Sequence, residues 1–277
     1  MTTALTPGYG PGYALSDTRV MIARGLRRSV RDPEAFITAL ALPVILMLMF
    51  VYVFGGAFNA GVGTAGGGTG GGYANYVVPG LIVLCAGFGA GTTAVAVATD
   101  MSSGIVDRFR SMPIASASVL AGHIVASLVR NLLATALVIA VGLAVGWRPV
   151  AGPLAWAGAL AMIVAFILAM SWLAACFGLV VGSPEAATGA TFALMFIPYL
   201  SSAFVPASTM AAGLRPIAAN QPFTPVIETM RGLWMGHTST GAAVGHEAWL
   251  AAVYCAAILV AAASAASWLF RHRTAGR

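Results

Sequence analysis

The stretch TDMSSGIVDRFRSMPIAS, Thr99–Ser116, carries four of the chain's few charges, Asp100, Asp107, Arg108 and Arg110. On either side lie long tracts with almost none; between Glu34 and Asp100 there is no charged residue at all. Water cannot solvate such a tract in an isolated soluble domain, so the segment reads as a short polar turn between two membrane spans. The whole chain agrees. Its 277 residues are 59% hydrophobic and 8% charged, and its mean hydropathy is +0.89. Soluble domains run at roughly 45–50% apolar and about 25% charged.

A spanning helix needs about 20 mostly apolar residues. Working outward from the charged turn, the candidates are 36–56, 76–98, 117–146, 152–182, 186–205 and 248–270. The fifth contains Pro198, which predicts a kink. The expected fold is therefore an all-α polytopic membrane protein with six transmembrane helices.

All 14 basic residues are arginines. Five precede the first span, two lie in the opening turn and three follow the last span, ten in all; Arg148, Arg215 and Arg231 fall on the other side. Arginine excess marks the cytoplasmic face, so both termini and the turn at 100–113 are expected inside, at a bacterial plasma membrane. Arg130 lies within the third candidate. At mid-bilayer it would cost about 3 kcal/mol or more, so either it snorkels from a long helix toward the inner surface or it lines a pathway.

The expected layout starts with a Gly-, Pro- and Tyr-rich tail, 1–14. An amphipathic connecting helix follows at 15–32, with Arg24, Arg27, Arg28 and Arg31 on one face and Leu15, Ile22, Leu26 and Val30 on the other. The membrane domain covers 33–270, with a helical external segment at about 206–240 before the last span, and 271–277 form a cytoplasmic tail. The amphipathic helix suits anionic lipid, and contact with a cytoplasmic partner is compatible with that. In the external segment Thr224 is expected to cap a helix with Pro225 at its first position, and Glu228 and Arg231, one turn apart, are expected to pair.

Chemistry-bearing motifs are sparse. The Gly-rich stretch Gly55–Tyr73 has no lysine and follows a span, so it is not a phosphate loop. Cys85, Cys176 and Cys255 show no ligand or redox spacing, the four histidines are scattered, and His246–Glu247 lacks the spacing of a helical metal site. No catalytic group, cofactor site, metal site or nucleic-acid partner is expected. Three G-x-x-x-G matches, Gly87–Gly91, Gly142–Gly146 and Gly178–Gly182, permit close helix contact, although 33 glycines make such matches cheap. Met195, Phe196 and Tyr199 offer an apolar, aromatic surface for substrate; helix packing is the competing use.

The opening turn has two readings from its residues: a solvated turn, or a docking helix in which Ser102 or Ser103 caps a turn carrying Ile105, Val106 and Phe109. Here a resemblance enters. DMSSGIVDRFRSMPIASASVLAGHIVASLVRNLL (Asp100–Leu133) resembles the signature region of type 2 ABC exporter permeases, especially the daunorubicin/doxorubicin-resistance type. RDPEAFITALALPVILMLMFVYVFGGAF (Arg31–Phe58) and NQPFTPVIETMRGLWMG (Asn220–Gly236) resemble the same family in the same order. The resemblance implies a six-span permease without ATPase activity, paired with a separate ATP-binding cassette subunit, as two copies of each. It implies a coupling helix at about 100–113, with Ile105, Asp107, Arg108, Phe109 and Arg110 facing the ATPase. It also implies a connecting helix at 15–31 and external helices at 208–236. An ATP-driven exporter of an amphipathic drug-like metabolite or lipid is the reading that follows. A secondary transporter would need central intramembrane acids, a membrane enzyme would need clustered catalytic groups, and an assembly or immunity subunit differs only in lacking transport.

Overall fold

The computed structural model describes residues 19–20, 22–23, 25, 27, 33–56, 72–104, 116–181, 183–194 and 196–273. Among these, regular structure is helical throughout. α1 is Pro33–Leu48, continued by a π-helical turn, Met49–Val53. α2 is Gly72–Phe88 and α3 Gly91–Ser102. α4 is Ser116–Val145, α5 Pro153–Val181 and α6 Pro184–Leu194. After two short 3-10 turns come α7 (Arg215–Asn220), α8 (Phe223–Met235) and α9 (Val244–Arg273).

Among the described residues, four helical stretches are long and apolar enough to cross a membrane: Gly72–Ser102, Val119–Val145, Pro153–Val181 and Val244–Phe270. Leu40–Val53 is a shorter apolar helix. They pack with two distinct ends. At the arginine-rich end, Val97 of α3, Leu120 and Ile124 of α4, Leu179 of α5 and Phe270 of α9 form one apolar cluster. The described residues between 19 and 27 are helical and lie there too: a Cβ on Gly25 would sit 2.8 Å from Ala126 Cβ of α4. The larger core fills the rest of the bundle around α2, α4, α5 and α8.

The fifth candidate span is not one helix. α6 has 11 residues, about 17 Å, and a 3-10 turn at Ile197–Leu200 and non-helical backbone at 201–205 follow it. Pro198, with no N–H and a fixed φ, sits in that 3-10 turn. The segment still tracks the whole length of α2–α3 in the opposite direction. Thr191 abuts Gly91, Tyr199 faces Phe88 at 6.1 Å between ring centroids, and Ala203 lies against Gly80, 2.8 Å from the position of a Cβ there. Non-helical backbone at membrane depth is tolerated where protein buries it, and Ser201, Ser202 and Ala203 are fully buried.

α8 lies in the segment expected to be external and helical. It is buried on nearly all sides. Its first residue, Phe223, reaches down to the level of Gly87 and packs on Phe166 of α5 at 5.2 Å. Its last turn meets Trp147 and Trp156 through Trp234. A left-handed Gly236, φ 79°, closes the helix, its N–H bonded to Gly232 O at 2.9 Å. Thr224 does not cap it. The helix begins at Phe223, two residues before the expected Pro225, and the Thr224 hydroxyl donates to Ala218 O and accepts from Ser202 N–H.

Candidate functional site

The coupling residues Ile105, Asp107, Arg108, Phe109 and Arg110 lie outside the described residues, as does Met195. What is described is how the chain enters that segment. Residues 100–102 complete α3 instead of opening a new helix, and Gly104 ends it at φ 69°, a conformation that costs glycine little. The Ser102 and Ser103 hydroxyls donate back to Thr99 O and Asp100 O.

Phe196 is 58% exposed and Tyr199 half-buried. They belong to an aromatic row: Phe192 meets Phe196 edge-on at 5.4 Å, Phe196 neighbours Tyr199, and Tyr199 stacks on Phe204 at 5.5 Å. Behind the row, Phe88, Met170, Phe177 and Phe223 line a cavity of about 60 Å³. Sites for drug-sized ligands run at about 300–1,000 Å³, so this cavity is far too small for one.

Sequence reasoning passed over a polar seam at mid-depth. Thr93 donates to Ser127 Oγ at 2.7 Å, Ser127 bonds Ser171 at 2.9 Å, and Asn131 Nδ2 donates to Ser127 at 3.2 Å. All four residues are at least 98% buried, and they tie α3, α4 and α5 together. Arg130 joins the seam by donating to Thr92 Oγ1. Neither sequence reading of Arg130, a snorkelling cation or a pathway charge, anticipated a bond to a neighbouring helix. Toward the arginine-rich end, His123 Nε2 lies 3.2 Å from Asp100 Oδ2. The available signal was Ser127 and Asn131 at i and i+4 in a largely apolar run that also holds Arg130.

At the opposite end the expected Glu228–Arg231 pair forms, and it is buried. The Arg231 guanidinium donates to Tyr76 O and Ser202 O, at 3.0 and 3.1 Å, and lies 3.9 Å from the Tyr76 ring centroid. Glu228 accepts from the Ser239 N–H at 2.7 Å and from its hydroxyl. Burial alone pushes the Glu228 carboxyl up, but the Arg231 charge and the Ser239 bonds outweigh it and hold it below its ordinary value. Tyr73 and Tyr76 hydroxyls donate to Phe204 O and Ser202 O, both at 2.8 Å. One ion pair and two tyrosines thereby pin α2, the 201–204 backbone and α8 into one unit.

Other sequence readings resolve simply. Glu247 accepts from Thr240 at 2.9 Å. Cys85 and Cys255 are buried, Cys176 is half-buried, and all three are free thiols. Of the G-x-x-x-G glycines, Gly87 meets Phe223, Gly91 meets Thr191, Gly142 meets Val78 and Gly178 lies against the Ala94 backbone, whereas a Cβ on Gly146 would meet nothing within 4 Å.

Several apolar helices of spanning length, with polar groups paired inside the bundle, define a multi-pass membrane protein. Residues 16–235 match the ABC-2 type transporter family, and the chain belongs to it. It is similar to a daunorubicin resistance ABC transporter permease of Streptomyces coeruleorubidus, 27% identical over 239 residues, 85% of this chain and 82% of the relative. It is also similar to a probable doxorubicin resistance ABC transporter permease of Mycobacterium tuberculosis, 26% identical over 241 residues, 86% and 84% of the two chains.

Proposed function

We propose that this chain is the membrane subunit of an ATP-driven exporter in a bacterial plasma membrane, assembled as two permeases with two separate ATP-binding subunits. The family match over residues 16–235 carries this reading. The chain has no lysine, hence no Gly-Lys-Ser/Thr nucleotide loop, and another subunit must supply the energy. In this proposal there are six crossings, the fifth being the broken path from α6 to Phe204. Both termini and the 100–113 segment face the cytoplasm, where Ile105, Asp107, Arg108, Phe109 and Arg110 dock into the ATPase. The tail 1–14, the connecting helix 15–32, the membrane domain 33–270 and the tail 271–277 keep their expected roles, and the connecting helix lies on lipid. The substrate is an amphipathic or apolar molecule, such as the aromatic drugs named for the two relatives. It passes Met195, Phe196 and Tyr199. The exposure of Phe192 and Phe196 supports this.

A second reading, transport driven by protons, draws on one observation. Asp100 is buried beside His123 inside α3, although it lies at the end of the span and not at its centre. The test is purification from native membranes with its bound subunits. The complex should hydrolyse ATP and export substrate, while the separated permease hydrolyses none. Phe109→Ala with Asp107→Ala should lower complex yield or uncouple hydrolysis from efflux at unchanged membrane abundance. Efflux that survives ATP depletion and stops when the proton gradient collapses selects the second reading.

A further inference from the structure

We propose that the glycine break in Gly72–Ser102 is a hinge, positioned by Ser127, Arg130 and Asn131 of α4, about which α3 swings relative to α2 during transport. The proposal rests on the permease reading for its role in transport and on the geometry for the hinge itself.

The break lies about 25 Å along the span from Gly72. Three glycines occupy Gly87, Gly89 and Gly91. The backbone slips there from the α pattern to i→i−3 bonds, Ala90 N–H to Gly87 O at 3.2 Å and Thr93 N–H to Ala90 O at 2.9 Å. Sharp interruptions of this kind occur at glycines or where a side chain enters the backbone ladder, and both are present. The Asn131 carboxamide fills the space that a Cβ on Gly89 would take. Thr92 Oγ1 donates to Gly89 O at 2.9 Å and accepts from Arg130. The Thr92 hydroxyl therefore satisfies a carbonyl that a break in lipid would leave bare.

Both halves pack on α4 and α5, but their polar ties lead to different places. α2 is pinned by Tyr73, Tyr76 and Arg231 to the 202–204 backbone and α8. α3 is bonded through Thr93 to α4, paired through Asp100 to His123, and pressed against Gly178 of α5. The facing path breaks at the same depth, between Leu194 and Ile197. The cavity of about 60 Å³ sits between the two breaks, lined by Phe88, Gly91, Met170, Phe177, Pro198 and Phe223. Empty apolar space beside a glycine turn lets one half move without first expelling a packed side chain. α3 then runs directly into the 105–115 segment, so a displacement delivered there acts on the short arm of the hinge. Hinges of this type are a few residues that absorb the backbone change while flanking elements stay rigid.

The test is hydrogen–deuterium exchange on the purified permease in lipid nanodiscs, joined to efflux by the native complex. Amides of 87–93 should exchange about tenfold or more faster than those of 77–84, and Ser127→Ala should speed only the first set. Gly89→Ala, whose methyl collides with Asn131, should abolish most efflux while complex yield stays unchanged. Adding Asn131→Gly should restore part of it by vacating that space. Uniform exchange along 72–102, or a Gly89→Ala complex with full efflux, overturns the hinge. A double variant no better than Gly89→Ala overturns the role of Asn131. Should Gly89→Ala not fold, the exchange pattern of wild type and Ser127→Ala decides. Should the wild type export nothing and bind no ATPase, the permease reading fails, and the exchange data on the isolated protein still judge the hinge.

Discussion

α5 and the α2–α3 span have nearly the same length, 29 and 31 residues, and both are apolar enough to cross a membrane. One is a single unbroken helix; the other is broken and bound along its length by polar groups. α5 packs by close approach, with Gly178 against the Ala94 backbone and Ser171 as its one link to the polar seam. α2–α3 is held by tyrosine hydroxyls, an arginine, threonines and an aspartate that reach other elements. Hydropathy reports that both helices avoid water. It does not report which is a strut and which is jointed, because that depends on where polar partners sit on neighbouring helices.

The comparison breaks most visibly if a polar tie is removed. Arg231→Met leaves Glu228 buried without its cation and should destabilise the permease by about 3–5 kcal/mol, read as thermal unfolding in detergent. Glu228→Gln with Arg231→Met should recover part of the loss. A change below about 1 kcal/mol, the range of an exposed pair, would show that α2 is not held there.

The apolar strut should be less sensitive. Gly178→Leu forces a side chain into the Ala94 backbone and should cost about 1–3 kcal/mol. Gly189→Ala, where a Cβ meets nothing within 4 Å, serves as the control and should leave the melting temperature unchanged or slightly raised. If Gly178→Leu behaves like the control, α3 and α5 are not in close contact at Gly178.

The smallest effect is titration of the tie. The folded Glu228 carboxyl lies below its ordinary value. Its contribution to stability is therefore complete above the unfolded value of about 4.3 and is lost as pH falls through the lower folded value. Melting temperatures measured downward from pH 6 should fall less steeply in Glu228→Gln than in wild type. Parallel slopes would assign acid sensitivity to other groups.

The membrane class, the all-helical architecture and the segments that form α2–α3, α4, α5 and α9 were legible in the residues, because about 20 consecutive apolar side chains have few alternatives to a helix in lipid. The Glu228–Arg231 pair was legible too, since i,i+3 neighbours meet on any helix. The fifth segment was legible only as far as Pro198; its unwinding to Phe204 depends on Tyr73, Tyr76, Thr224 and Arg231 satisfying that backbone from other elements. The burial of α8 was hidden because its surface mixes Thr, Glu and Arg with apolar residues, the pattern of a half-solvated helix. In place of water, α2, α5 and α9 supply its partners. The mid-depth seam was equally hidden. Thr93, Ser127, Asn131 and Ser171 are unremarkable one at a time, and residues 34 to 44 apart in the chain meet only when three helices pack. Local periodicity is set by the chain's own covalent spacing, whereas the satisfaction of buried polar groups is a property of the neighbours that surround them.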